Sequence, residues 1–200
     1  GLRIQKKDYR GVTWNYTYDG NKLIREKHLS TTLDFLYDEN GNLYGFIKDN
    51  TDKYFYIRDA LQNILGIIDV LGNIVVKYSY NAWGTTSITQ DTSSSNIGSL
   101  NPFRYKGYYY DGESGMYYCK TRYYVPLWGR WLNADSPTQT KLLNNNINVY
   151  AYCFNNPISG YDSNGCLPGW LSTVFKCIAA VAVIAVACVV SVATAGTAAP

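Results

Sequence analysis

From the N-terminal residues to Tyr80 the chain alternates short apolar or aromatic runs with polar clusters of Asp, Asn and Gly. Tyr18-Asp19-Gly20-Asn21-Lys22-Leu23 recurs as Tyr37-Asp38-Glu39-Asn40-Gly41-Asn42-Leu43, and Tyr56 with Asp59-Ala60-Leu61-Gln62-Asn63-Ile64 keeps the same interval of nineteen residues from Tyr to Tyr. Ile68-Asp69-Val70-Leu71-Gly72-Asn73-Ile74 repeats the theme at half that spacing. Each unit predicts strand, tight turn, strand, because Asn-Gly and Gly-Asn supply the positive φ that two-residue hairpin turns need. Ile74 to Tyr80 alternates in part, with Ile74, Val76, Tyr78 and Tyr80 on one face and Val75, Lys77 and Ser79 on the other. A single hairpin cannot bury its own face, so the units are expected to stack sideways into a continuous sheet, a solenoid or spiralling shell. A sheet of this length does not close by itself and is expected to leave unpaired edges.

Trp83-Gly84 ends the repeats. Thr85 to Ser99 reads as an exposed, mobile Ser/Thr/Asn-rich linker. Beyond it the chain becomes dense in tyrosine until Cys166-Leu167-Pro168-Gly169-Trp170 marks a second boundary. The last segment then changes character. No charged residue occurs from Ile178 to Pro200, and Ile178 to Val192 is almost all Ala, Val and Ile. This stretch predicts an apolar helix over 174–195, which either contacts a membrane, with Trp170 and Lys176 at its entrance, or packs inside protein.

Composition sharpens the β reading. Twenty Tyr stand against six Phe and charge is only 16%, which suits turn-rich β-structure whose side chains have one apolar and one wet end. The formal charge of +3 and the lack of a Lys/Arg stripe beyond Lys6-Lys7 give no reason to expect nucleic acid binding by this segment. Five cysteines, Cys119, Cys153, Cys166, Cys177 and Cys188, form no CxxC and no cluster with the single His28, so neither a metal site nor a cofactor is expected. Free buried thiols are the simpler reading, with a Cys119 to Cys153 bridge as the alternative in an oxidising compartment. His28 follows Arg25-Glu26-Lys27 and reads as a surface residue. Gly1 to Arg10 is polar and basic with no signal peptide pattern, and the chain reads as a piece of something longer. Asn15-Tyr16-Thr17 matches the glycosylation sequon without further support.

One stretch points further. Arg104-Tyr105-Lys106-Gly107-Tyr108-Tyr109-Tyr110-Asp111-Gly112-Glu113-Ser114-Gly115-Met116-Tyr117-Tyr118 continues through Arg122-Tyr123-Tyr124, Pro126, Gly129-Arg130-Trp131-Leu132 and Asp135. Asn148-Val149-Tyr150-Ala151-Tyr152, Asn155-Asn156-Pro157 and Asp162-Ser163-Asn164-Gly165 follow. In order and spacing, residues 101 to 165 resemble the RHS repeat-associated core, and the upstream units resemble the YD repeats of the same family. The resemblance implies a mainly β fold: hairpins of residues 1–84 wound into a shell, a linker over 85–100, a core plug over 101–165, and the start of a variable C-terminal region over 166–200.

The resemblance also implies a chemistry. Self-cutting members need two aspartates, and their places are held here by Asp111 and Asp135, with Glu113 as a close substitute for the first. Two carboxyls brought close cannot both ionise easily, so one can act as base while the other donates or polarises. Arg104, Arg122 and Arg130 are candidate supports for these acids, or else stack on rings. Turn chemistry is the competing account, since Asp111-Gly112 and Asp135-Ser136-Pro137 both read as turns. The family cuts after Asp-Pro-x-Gly-Leu. Here Ser163 replaces the Pro and Cys166 the Leu, so the expected cut is the Cys166–Leu167 bond, with activity put in question by both replacements.

The function implied is packaging: a secreted or cell-surface β-shell encloses a C-terminal toxin or effector beyond Pro200, with an immunity protein and secretion machinery as partners. The alternative is a non-enzymatic contact or adhesion shell, anchored to a membrane through 174–195. The Tyr-Tyr pairs and Trp128 and Trp131 read as cross-strand packing, with carbohydrate binding as a minor alternative.

Overall fold

The computed structural model describes residues 1–134, 148–160, 162 and 165. Thirteen strands form two antiparallel sheets within them. The first sheet runs in chain order through β1 (Gln5–Lys7), β2 (Thr13–Asp19), β3 (Lys22–His28), β4 (Thr31–Tyr37), β5 (Leu43–Lys48), β6 (Asp52–Arg58), β7 (Ile64–Ile68), β8 (Ile74–Tyr80) and β9 (Thr86–Asp91). The second joins β10 (Tyr109–Asp111), β11 (Met116–Cys119), β12 (Arg122–Val125) and β13 (Arg130–Trp131). Every neighbour in either sheet is also a sequence neighbour, so the hairpin unit predicted from the alternating runs is the unit of construction.

What organises many of the turns is an acid or amide side chain. In the turn before β5, Asp38 Oδ1 accepts the backbone N–H of Asn42 at 2.7 Å, Oδ2 accepts the Asn42 side-chain amide at 2.8 Å, and Gly41 turns at φ 81°. Asp59 with Asn63 and Asp69 with Asn73 repeat this geometry. Asp8 takes the same role toward Val12 N–H, and Asn81 toward Thr85 N–H. The carboxylate replaces the backbone partners that five residues of turn would otherwise lack. These turns are therefore longer than the two-residue form expected. The two-residue form is found between β2 and β3, where Gly20 has φ 54°.

Leu33, Phe46, Ile64, Ile67 and Val76 are fully buried on one face of the long sheet, each contributing roughly 1.5–3 kcal/mol by leaving water. Tyr18, Tyr37 and Tyr56 pack along that core from alternate strands, which explains the nineteen-residue interval. The expected alternation in β8 is present at Val76 and Tyr78, while Ile74 at its start is 40% exposed.

Residues 85–100 differ from the expectation of a flexible linker. Thr86 to Asp91 pairs with β8 as the sheet's last strand, and Asp91 then accepts Ser93 and Gly98 N–H to shape a helical turn, α1 (Ile97–Leu100). Ser87 and Thr89, which read as loop, are exposed positions of an edge strand, Thr86 turns in to meet the Tyr117 hydroxyl, and Ile97 drops into the core with no exposure. His28 also departs from the surface reading: it stacks on Trp14 with centroids 5.1 Å apart, and Nδ1 lies 3.4 Å from buried Glu26. Cross-strand pairing supplies Trp14, and the strand's period of two places Glu26 on the same face as His28, although the run of charges alone reads as surface.

Cys119 and Cys153 are free and buried; burial pushes the Cys153 thiol up to about 11. The other three cysteines and the expected apolar helix 174–195 lie outside the described residues. Among the described residues no helix is long and apolar enough to cross a membrane.

Candidate functional site

The tyrosine ladder is a second core. Tyr117, Tyr124, Trp131 and Tyr152 are at most 1% exposed, and Tyr105, Tyr108 and Cys119 join them. Each of these tyrosines has a main-chain or hydroxyl partner for its hydroxyl. Tyr105 donates to Ala82 O at 2.8 Å, Tyr124 to Trp83 O at 2.7 Å and Tyr117 to Gly84 O at 2.9 Å. The Tyr117 and Tyr124 bonds fasten the small sheet to the Asn81 turn of the large one, and Tyr105 ties the segment before β10 to the same turn. The rings are thus packing elements, not a platform facing solvent.

The N-terminal residues fasten the opposite side. Arg3 lies over the rings of Tyr16, Tyr109 and Tyr118, 4.4–5.0 Å from their centroids. Its guanidinium meets Asp111 in a two-pronged pair, Nη1 to Oδ2 at 2.5 Å and Nη2 to Oδ1 at 3.0 Å. Lys6 Nζ adds a contact to Asp111 Oδ1 at 2.8 Å and one to Glu113 at 2.7 Å. Burial works against the Arg3 charge, but the Asp111 bonds and charge outweigh it and raise its pKa.

Of the expected site residues, the structure therefore gives Asp111 two cationic partners from the chain's first residues, while Asp135 lies outside the described residues, as do Cys166 and Leu167. Arg104 is buried, donating to the carbonyls of Gly98, Ser99 and Asn101 and lying 4.4 Å from the Tyr110 centroid. Arg130 is exposed on β13.

Arg122 is placed differently. It stacks 4.1 Å from the Trp131 centroid and turns toward the segment that precedes the expected cut. Its Nη2 is 3.4 Å from the carboxylate of Asp162, which is 1% exposed, and its Nε donates to Gly165 O. Thr121 Oγ1 donates to the same carbonyl at 3.0 Å. Tyr108 accepts Asp162 N–H at 3.0 Å and lies 2.7 Å from Asp162 O, and Lys106 Nζ reaches Pro157 O at 2.5 Å and Gly160 O. Gly165 has φ 76°, and a Cβ there would stand 2.7 Å from Thr121 Oγ1 and 2.9 Å from Cys119 O. The retained Asp and Gly of the Asp-Ser-Asn-Gly motif thus have separate tasks, one as counter-ion to Arg122 and one as a backbone bend against β11 and β12.

Register separates the two groups of carboxylates. Asp111 faces Met116 at one end of β11, and Cys119 faces Arg122 at the other; three residues of strand put these ends roughly 10 Å apart. Sequence reasoning missed Arg3, Lys106 and Thr121. Arg3 is 108 positions from its partner and leaves no local pattern; Lys106 stands within a motif already quoted, but as an apparent turn residue.

Comparison with known proteins agrees with this architecture. The tRNA3(Ser)-specific nuclease WapA of Bacillus spizizenii is 36% identical over 169 residues, covering 82% of this chain and 7% of that protein. Toxin subunit YenC1 of Yersinia entomophaga is 30% identical over 128 residues, covering 62% of this chain and 12% of its own length. The Photorhabdus luminescens Tc holotoxin pore structure superposes with a TM-score of 0.60 at 20% identity, over 82% of this chain and 8% of that one, a likeness of fold. The chain spans only a small part of these relatives. The sequence profile of the Teneurin YD-shell family matches residues 3–158, and the chain belongs to that family.

Proposed function

We propose that this chain is the closing part of a bacterial YD shell that encloses and displays a C-terminal toxin or effector region. The observation that carries the reading is the grip on Pro157, Gly160, Asp162 and Gly165, which Lys106, Tyr108, Thr121 and Arg122 hold just before the chain's composition changes. A structure that served only as a sheet cap has no need to hold those residues by four side chains. Similarity to a nuclease and to a toxin subunit supports the same reading. The chain spans 7% of WapA, so the payload beyond Pro200, an immunity protein, the secretion machinery and an extracellular or cell-surface location are proposals for the whole protein.

The finer part is self-cutting between Cys166 and Leu167, with Asp135 and either Asp111 or Glu113 in the acid and base roles. The Arg3 and Lys6 pairs favour a structural Asp111, which supports the second reading, a shell that holds its payload or serves surface contact without cutting. Intact mass of the longer parent chain decides between them. Loss of everything after Cys166 in the wild type, with Asp135→Asn left whole, is the result expected of self-cutting. A wild type that stays whole under native conditions removes the enzymatic part and leaves the shell.

A further inference from the structure

Positive φ is unfavourable for a long side chain, and burial is unfavourable for an ammonium without a partner. Lys120 bears both. It stands in the turn between β11 and β12 at φ 65°, where Thr121 N–H donates to Cys119 O at 2.7 Å, a three-residue closure of a kind that is rare and strained at positive φ. The side chain is half-buried; burial lowers its pKa, and no carboxylate opposes that shift. Backbone strain and unpaired charge held together at one residue point to a role outside folding.

Lys120 lines a cleft of about 220 Å³ between the end of the small sheet and two turns of the large one. Its walls include Tyr18, Tyr37, Tyr109, Tyr118, Phe103 and Leu43. The four tyrosine hydroxyls are engaged elsewhere, Tyr18 with Arg3 O, Tyr37 with Leu23 O, Tyr109 with Glu26 and Tyr118 with Arg3 N–H, so the walls offer ring surface. Lys22 is the second cation. It holds the place in the first repeat that Gly41 holds in the second, four residues after the Tyr, and a Cβ on Gly41 would stand 2.8 Å from its Nζ. The glycine thus makes room for the ammonium, which lies 5.6 Å from the Tyr37 centroid. No Asp or Glu lines the cleft among the described residues.

We propose that this cleft binds a small aromatic anion, a single ring carrying a carboxylate or phosphate, with Lys22 and Lys120 on the charge and the tyrosine walls on the ring. An acid-free cleft with two cations selects the sign of the ligand, and aromatic walls select a flat apolar body. The volume sets the size: an apolar cavity of roughly 150 Å³ holds benzene, so this cleft takes one ring with its anionic group. The site stands apart from the packaging role and from any cutting of the chain.

Isothermal titration calorimetry on the full chain tests it, with phenyl phosphate and benzoate as probes and with phenol and inorganic phosphate as halves of the chemistry. One-to-one binding of at least one aryl anion is expected, tighter than either half by at least about tenfold. Lys22→Met and Lys120→Met are each expected to weaken it by about tenfold or more, and Lys53→Met, an exposed lysine on β6, to leave it unchanged. Lys120→Gly separates binding from folding: relief of the positive φ keeps the urea midpoint at or above wild type, while binding falls as far as in Lys120→Met. Absence of binding by both aryl anions up to about 10 mM overturns the proposal, as does binding by Lys120→Gly equal to wild type. Equal losses in Lys53→Met and Lys120→Met overturn it too, because the anion then responds to net charge and not to the cleft.

Discussion

At the scale of single residues, the Arg3 and Asp111 pair decides how the carboxylate chemistry is to be tested. Both side chains are nearly buried, at 12% and 3% exposed, and removing one partner of such a pair leaves the other charged in low dielectric. Asp111→Asn is therefore expected to cost about 3–5 kcal/mol, read as a lower urea midpoint. A midpoint within experimental error of wild type sinks the structural account of Asp111 and returns it to the catalytic candidates. Because this variant is expected to be unstable, failure of Asp111→Asn to cut carries less weight than failure of Asp135→Asn. Gly165 offers a second test. Gly165→Ala meets both a positive φ and a Cβ contact with the Cys119 carbonyl, so faster exchange is expected in the peptides that carry Tyr152 and Asp162, with the large sheet unaffected. Equal exchange in wild type and variant contradicts the bend assigned to that residue. The sequence displayed Asp111, Asp162 and Gly165 as motif members, yet their partners were illegible: an ion pair is a matter of who faces whom, and Arg3 sits a hundred residues from the acid it satisfies.

At the scale of elements, the repeat was legible because its period comes from local chemistry. An Asp that accepts two backbone N–H groups must be followed at fixed distance by a residue with positive φ and by a strand, so the turn writes itself into the sequence. The role of that Asp was less visible than its position, since Asn-Gly alone accounts for a turn. Asp59→Ala tests the difference. It removes acceptors for Leu61 N–H, Asn63 N–H and the Asn63 amide and is expected to cost about 1–3 kcal/mol, with loosening that spreads to Lys106 through Asn63, whose Oδ1 accepts the Lys106 backbone N–H. A loss confined to the turn, with peptides of 150–160 still protected, would contradict the link between turn and clamp. The ninth strand was illegible for the opposite reason. Thr and Ser on an edge strand face water on the outside and pair on the inside, so composition reads as loop while register is supplied by β8.

For the whole molecule, the small sheet touches both the first strand of the large sheet, through Arg3 and Lys6, and its last hairpin, through the Asn81 turn. The sheet therefore bends around the tyrosine core, and the core's ionisation should govern stability of the whole. On the acid side, bonds from Asn42, Asn73 and Lys48 hold Asp38, Asp69 and Asp49 below their ordinary 3.8. Folded values that are depressed give stability that is present above about pH 4 and lost as pH falls through them, so urea midpoints should agree at pH 7 and 5 and drop at pH 3. The alkaline limb has the opposite origin. Burial raises Tyr16, Tyr56, Tyr108, Tyr109 and Tyr152 well above their ordinary 10, which keeps them neutral in the fold while the unfolded chain ionises. Stability is then complete below pH 10 and lost as pH rises beyond it. Because many rings in both cores share this property, the alkaline loss should be steep and cooperative, with tyrosinate absorbance of the buried set appearing together with the loss of β-sheet circular dichroism. Gradual ionisation of all twenty tyrosines near pH 10, with the sheet signal unchanged, would mean that the tyrosine core is open to water and does not join the two sheets.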